Sequence, residues 1–176
     1  MHIREAAGRD RDTIHNIHFS AFPEEEREIV SKLAVDLLSE TTTPATFSLI
    51  AEEDGAVVGH VAFSPVSIDQ HPHIHGYNLA PLAVLPAHQT CGIGSRLVEN
   101  GIGRLSGTDT DILFVYGDPK YYGRFGFRAD VAARYVPPYR LQYPFGWLGL
   151  MLRDFDIEKE SVGLTFVSSL NNQAYW

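Results

Sequence analysis

The amino-acid sequence predicts an α+β fold in which a mostly antiparallel sheet contains one βαβ crossover. Strand-like and helix-like stretches follow one another in the order β-α-α-β-β-β-α-β-α-β-β. Asp54-Gly55 lies between two β-rich runs, which is the pattern of a tight hairpin and therefore of an antiparallel pair. An apolar strand also leads into a loop containing Gly92 and Gly94, and a helix and a nearly all-apolar strand follow. That succession predicts the crossover.

The first elements are predicted from apolar spacing. HIREA is a short strand, and DRDTIHNIHFSAF places apolar residues at helical intervals. PEEEREIVSKLAVDLLSE is a second helix, with Pro23 in its first turn and acidic residues at its positive end. FSLIAEE and AVVGHVAFSPVSI are the two strands of the hairpin. The second helix is expected to bury Ile29, Leu33, Leu37 and Leu38.

The later elements surround the glycine loop. YNLAPLAVLP is a strand that enters the loop, and the following helix ends near Ser106-Gly107. DILFVYG is a buried strand, and DPKYYGRFGF begins a short helix with Asp118 as N-cap and Pro119 as its first residue. FGWLGLML and VGLTFVS are the last predicted strands. The helix after the loop is expected to bury Ile93, Leu97, Val98, Ile102 and Leu105.

Composition narrows the class of protein. The chain of 176 residues predicts a single domain over residues 1–176. Its net charge of −8 argues against a nucleic-acid partner and suits an acceptor with a positive charge, such as an amine. No apolar run has the length of a membrane span, and the polar N-terminal residues do not resemble a signal peptide, so a cytoplasmic protein without membrane contact is predicted. The single cysteine, Cys91, excludes an internal disulfide and a cysteine-rich zinc site.

The glycine loop has features of a phosphate-binding loop, and three known patterns can be compared with it. A P-loop needs Lys followed by Ser or Thr after its last glycine, but Ser95-Arg96 follows Gly94. A dinucleotide-binding fingerprint needs a third glycine where Leu97 stands. The six residues from Gln89 to Gly94 do match Q/R-x-x-G-x-G/A. A tight turn with close packing would also explain the two glycines.

The matching pattern is that of the coenzyme A pyrophosphate loop in the GNAT superfamily of N-acetyltransferases. PLAVLP before the loop and GDPKYYGRFGF after the next strand resemble the YhbS-like bacterial subgroup of that superfamily. AFPEEEREIVSKL and DGAVVGHVAFSPV are similar to its early helix and central hairpin. The resemblance covers about Met1 to Arg128.

The resemblance implies a GNAT fold whose central strands splay apart around acetyl-CoA, with no metal. Backbone groups of Leu82, Ala83 and Val84 would pair with the pantetheine arm, and the Val84 N–H would face the acetyl carbonyl as a small oxyanion hole. Amide groups of the loop would hold the pyrophosphate. The expected loop residues are Gln89, Thr90, Cys91, Gly92, Ile93, Gly94 and Ser95.

The resemblance also implies a catalytic acid. Tyr122 lies four residues before Gly126, where GNAT enzymes often place a tyrosine that protonates the departing thiolate. Tyr121 is expected to be packed, and a purely packing role is the alternative for Tyr122. The general base stays open among Glu52, Asp118 and His60, each of which also has a structural interpretation.

Two further clusters have interpretations without chemistry. His71, His73 and His75 would face one side of a strand and could bind a metal, but Pro72 and the polar neighbours indicate an exposed hairpin end. Cys91 could be an acyl-carrying nucleophile, but it occupies a variable loop position and we expect no catalytic role.

The predicted function is acetyl-CoA-dependent transfer of an acetyl group to a primary amine, directly within a ternary complex. The alternative is a non-catalytic coenzyme A-binding sensor or complex subunit, and a homodimer stays among the alternatives for the assembly. The acceptor, a small molecule or a peptide, is not identified by the sequence. Aromatic residues of the last third either line its pocket or belong to the core, namely Tyr139, Tyr143, Phe145 and Trp147.

Overall fold

The computed structural model describes residues 1–155 and 161–176. The chain divides into two compact units, residues 1–63 with 80–103 and residues 64–79 with 104–176. The strands are β1 (His2–Glu5), β2 (Phe47–Glu53), β3 (Ala56–Ile68), β4 (His75–Val84), β5 (Ile112–Tyr116), β6 (Tyr135–Val136), β7 (Trp147–Met151) and β8 (Val162–Phe166). The α-helices are α1 (Arg11–Ala21), α2 (Arg27–Ser39), α3 (Ile93–Ser106), α4 (Pro119–Tyr122) and α5 (Ala129–Ala132).

The first unit contains the predicted hairpin. β1 pairs antiparallel with β2, and β2 pairs antiparallel with β3. Glu53 is opposite Ala56, so Asp54 and Gly55 form the connecting turn, with φ values of 50° and 81°. Both central residues thus have the positive φ that suits the twist of a two-residue hairpin. The hairpin prediction is confirmed.

Helix α2 begins later than the sequence pattern predicts. Pro23 lies in a turn before the helix, where its carbonyl accepts hydrogen bonds from the N–H groups of Glu26 and Arg27 at 3.0 and 2.9 Å. Helical geometry then runs from Arg27. Leu33 and Leu37 are buried as expected, whereas Ile29 and Leu38 are half-buried.

Helix α3 lies close to β3 because each element has a glycine where the other has a bulky side chain. A Cβ on Gly59 would lie 3.0 Å from Leu97 Cδ1 and 3.1 Å from Ile93 Cγ2. A Cβ on Gly101 would overlap the ring of Phe63. Of the five α3 residues expected in the core, Ile102 is half-buried and the other four are buried.

The second unit contains the parallel pair of the crossover. β4 pairs parallel with β5 over Gly76–Leu79, and β5 pairs antiparallel with β7 along its whole length. β8 pairs antiparallel with the end of β3 and parallel with β6, a short strand that the sequence pattern does not predict. Most described strand pairs are antiparallel, as expected for the predicted α+β fold.

Aromatic side chains fill the core of the second unit. Trp147 stacks on Phe114 with ring centroids 5.2 Å apart, and its Nε1–H donates to the Tyr135 carbonyl at 2.9 Å. Trp147 is therefore a core residue. Tyr143 and Phe145 lie on the surface.

Candidate functional site

The end of β4 presents backbone groups on the side away from β3. The ladder between β4 and β5 includes β4 residues only as far as Leu79. Further along, the Leu85 N–H donates to the Val58 carbonyl at 2.9 Å, which directs Leu85 toward β3. Because backbone groups of successive strand residues point to alternate sides, Ala83 also faces β3, whereas Leu82 and Val84 face away. Of the three residues predicted to pair with a ligand, Leu82 and Val84 have the suitable orientation.

The loop after β4 has the backbone conformation of an anion-binding turn. A 3-10 turn over Pro86–His88 leads into it. Thr90 and Gly92 then have φ values of 62° and 80°, and α3 begins at Ile93. Left-handed residues next to a helix start turn several N–H groups toward one point, and such concave turns bind anions. The first turn of α3 contains no acidic side chain that would oppose an anion.

Two side chains hold the loop to the hairpin and to β4. Gln89 Nε2 donates to the carbonyl of Val84 at 3.0 Å. His88 Nδ1 lies 3.1 Å from Glu53 Oε2, at the end of β2. The sequence motif identifies Gln89 but does not show that its side chain points back to the strand.

Tyr122 lies at the end of α4, and the start of that helix is as predicted. Asp118 Oδ1 accepts the Lys120 N–H at 2.9 Å, and Pro119 is the first helical residue. The Tyr122 ring covers Gly117, where an added Cβ would overlap the ring. It meets Phe127 edge to face with centroids 5.8 Å apart.

Burial raises the pKa of the Tyr122 phenol, and the neighbouring Tyr121 raises it further. The phenol therefore keeps its proton at neutral pH and can donate it. Tyr121 is packed as expected, since it contacts the rings of Tyr122 and Phe125 at centroid distances of 5.0 and 5.6 Å.

The three residues considered as general bases all have structural partners. Glu52 Oε1 accepts a hydrogen bond from Arg4 Nε at 2.8 Å, and Asp118 caps α4. His60 is fully buried, and its Nδ1 lies 2.8 Å from Nε2 of His18, which is also fully buried. The sequence analysis does not predict this pair.

The His18–His60 pair shares a single proton across its contact. One ring nitrogen must donate and the other must accept, so both rings are neutral when the bond forms. Burial is the main cause that lowers the pKa of both imidazoles, that of His60 to about 3. Asp10 acts in the opposite direction on His60, and His60 and His15 lower the pKa of His18 further.

The histidines of the β3–β4 connection do not form a metal site. His71 and His73 contact each other with ring centroids 5.8 Å apart, whereas His75 pairs with Asp109 at 3.0 Å. Within residues 1–155 and 161–176, no group of three metal-ligating side chains is found. Cys91 is an exposed free thiol.

The fold and the loop together define a protein of the GNAT class. Residues 44–129 match the family model described as an acetyltransferase (GNAT) domain. The chain is 35% identical over 144 residues to the uncharacterized N-acetyltransferase YjhQ of Escherichia coli K12, covering 79% of this chain and 75% of that protein. This chain therefore belongs to the GNAT acetyltransferase family and is an acyltransferase. The predicted family and fold class are confirmed.

Solved structures add two particular relatives. GNAT family N-acetyltransferase YhbS from Escherichia coli, crystallised with CoA, matches with a TM-score of 0.81 and 26% identity, covering 97% of this chain and 92% of that chain. A GNAT acetyltransferase from Brucella melitensis, in complex with acetyl-CoA, matches with a TM-score of 0.68 and 30% identity, covering 97% of both chains. In the part of the chain that the structure describes, no helix is long and apolar enough to cross a membrane.

Proposed function

We propose that this protein transfers the acetyl group of acetyl-CoA to a primary amine of a small molecule or a peptide. The observation that carries the proposal is the loop from Gln89 to Ser95, in which positive φ values at Thr90 and Gly92 precede the start of α3. Amide groups there suit a pyrophosphate. YhbS and the Brucella melitensis protein were crystallised with CoA and acetyl-CoA, which supports the same use of this loop.

In the proposed reaction, the amine nitrogen attacks the acetyl carbonyl directly in a ternary complex. A C–N bond forms, and the tetrahedral oxyanion accepts a hydrogen bond from the Val84 N–H. The C–S bond then breaks, and the thiolate takes the proton of the Tyr122 phenol. The raised pKa of Tyr122 supports this role, because the phenol is protonated before the thiolate leaves. The amine loses one proton, and we assign no residue to its removal.

The acceptor is proposed from charge. The net charge of −8 favours a cationic amine over an anionic acceptor and disfavours nucleic acid. A panel of amines, polyamines, amino acids and peptides, with thiol release as the readout, would identify the acceptor class. Release of CoA that depends on the added amine is expected. Tight acetyl-CoA binding without transfer to any amine would favour a coenzyme A sensor instead.

Gly92→Val tests the loop, and Gly55→Val is a matched control. Both glycines have φ near 80°, at 80° and 81°, and at neither would an added Cβ meet another atom within 4 Å. The two variants therefore carry similar backbone strain. Calorimetry should show that Gly92→Val loses acetyl-CoA affinity while Gly55→Val keeps it. Equal affinity in the two folded variants would contradict pyrophosphate binding by this loop.

A further inference from the structure

The carbonyl of Val84 is occupied by a side chain, although it lies on the outward side of β4. Gln89 Nε2 donates to it at 3.0 Å. The other half of the same peptide group, the Leu85 N–H, donates to the Val58 carbonyl at 2.9 Å. Hydrogen bonds therefore hold the Val84–Leu85 peptide group from both sides.

The position of this carbonyl matters because an outward strand edge can pair with an extended ligand in more than one register. Available N–H and C=O groups recur at every second residue, so an arm that carries amide groups can shift along the edge by one repeat. Leu82 and Val84 provide these groups at the end of β4. With the Val84 carbonyl taken, the last group that can pair with an arm is the Val84 N–H.

The Gln89 side chain is directed to Val84 by its own surroundings. The 3-10 turn over Pro86–His88 reverses the chain, and the Gln89 N–H donates to the Pro86 carbonyl at 3.4 Å. The contact between His88 and Glu53 fastens the same turn to the end of β2. The Gln89 amide is thus committed to the strand.

Building on the proposed function, we infer that Gln89 is a positioning residue that sets the register of the acyl-pantetheine arm. By occupying the Val84 carbonyl, it removes the register in which an amide of the arm would pair there. The acetyl carbonyl then meets the Val84 N–H. In this assignment the side chain of Gln89 does not contact phosphate.

Calorimetry with three probes separates these roles. Acetyl-CoA and CoA carry the arm, whereas 3′-phosphoadenosine 5′-diphosphate carries the pyrophosphate without it. Gln89→Leu removes the donor at similar size, and Gln173→Leu is a matched control at an exposed position. Thermal unfolding of each variant verifies that it is folded.

We expect Gln89→Leu to weaken acetyl-CoA by about three- to tenfold, the range of one hydrogen bond. Its affinity for the armless probe should stay within about twofold of the wild type, because the loop amides are unchanged. The preference for acetyl-CoA over CoA should also fall. Gln89→Arg restores a donor and should recover that preference.

Two outcomes would overturn the inference. Equal losses for acetyl-CoA and the armless probe would show that the side chain contacts phosphate. Unchanged affinities for all probes would show that the contact with Val84 has no effect on the ligand. If the wild-type protein binds neither acetyl-CoA nor the armless probe, the proposed function fails as well.

Discussion

The buried His18–His60 pair predicts that the folded protein loses stability as the pH falls below about 6.5, the usual pKa of histidine. Both imidazoles are neutral in the folded state, and burial holds the pKa of His60 at about 3. In the unfolded chain, each imidazole takes up a proton near its ordinary pKa. The unfolded state therefore binds more protons between these two pKa values, and acid favours unfolding.

The size of the effect follows from the pKa difference. A histidine that titrates at its ordinary value when unfolded and stays neutral when folded contributes about 2 kcal/mol between pH 7 and pH 5. Two such residues contribute about 4 kcal/mol, a large part of the 5–15 kcal/mol by which domains are typically stable. Asp10 does not enter this range, since its pKa is lowered to about 2, mainly by its hydrogen bonds to Arg4. Its stabilisation is lost only below about pH 4.

Urea unfolding at pH 7, 6 and 5 measures the free energy of unfolding directly. His60→Gln should reduce the loss between pH 7 and pH 5 by about 2 kcal/mol relative to the wild type. His73→Gln is the matched control, because His73 is exposed, and it should keep the wild-type dependence. NMR titration of the folded protein should show a neutral His60 ring at pH 5. A His60 ring that titrates near pH 6.5 in the folded protein would refute the reasoning.

Three further substitutions test other parts of the structure. Tyr122→Phe keeps the ring over Gly117 but removes its proton, so kcat should fall roughly 100-fold with little change in acetyl-CoA affinity; normal kcat with the true acceptor at saturation would leave Tyr122 a packing role. Gly101→Ala should lower the free energy of unfolding by about 1–3 kcal/mol in urea titrations, although alanine favours helices, because the added methyl group overlaps the Phe63 ring. A more stable variant would show that the ring can move aside. Cys91→Ala should keep most of the acetyl-transfer rate, and loss of turnover with an acetyl-thioester trapped on the wild type would contradict this.

Local features of the structure were predictable because short-range patterns determine them. The bounds of β2 and β3 agree with the sequence pattern, since the Asp54-Gly55 turn fixes where each strand begins or ends. The Asp118 cap is equally local, because its side chain reaches an N–H only two residues away. The motif likewise identifies the loop, because its glycines mark the start of α3.

Contacts between distant parts of the chain were not predictable in this way. His18 and His60 are 42 residues apart, and nothing in either local pattern indicates that they meet. The direction of the Gln89 side chain depends on the turn before it, which the motif does not describe. β6 is only two residues long, too short for a period-2 pattern.

The reciprocal glycines of α3 and β3 have a consequence for protein engineering. Gly59 makes room on the strand for Ile93 and Leu97, while Gly101 makes room on the helix for Phe63. The helix cannot slide along the strand by one turn, about 5.4 Å, without placing a side chain where only hydrogen fits. The start of α3 is thereby indexed against β3 like a ruler fixed at two marks. Loop variants for other acyl donors can therefore be built on a helix whose axial position stays constant.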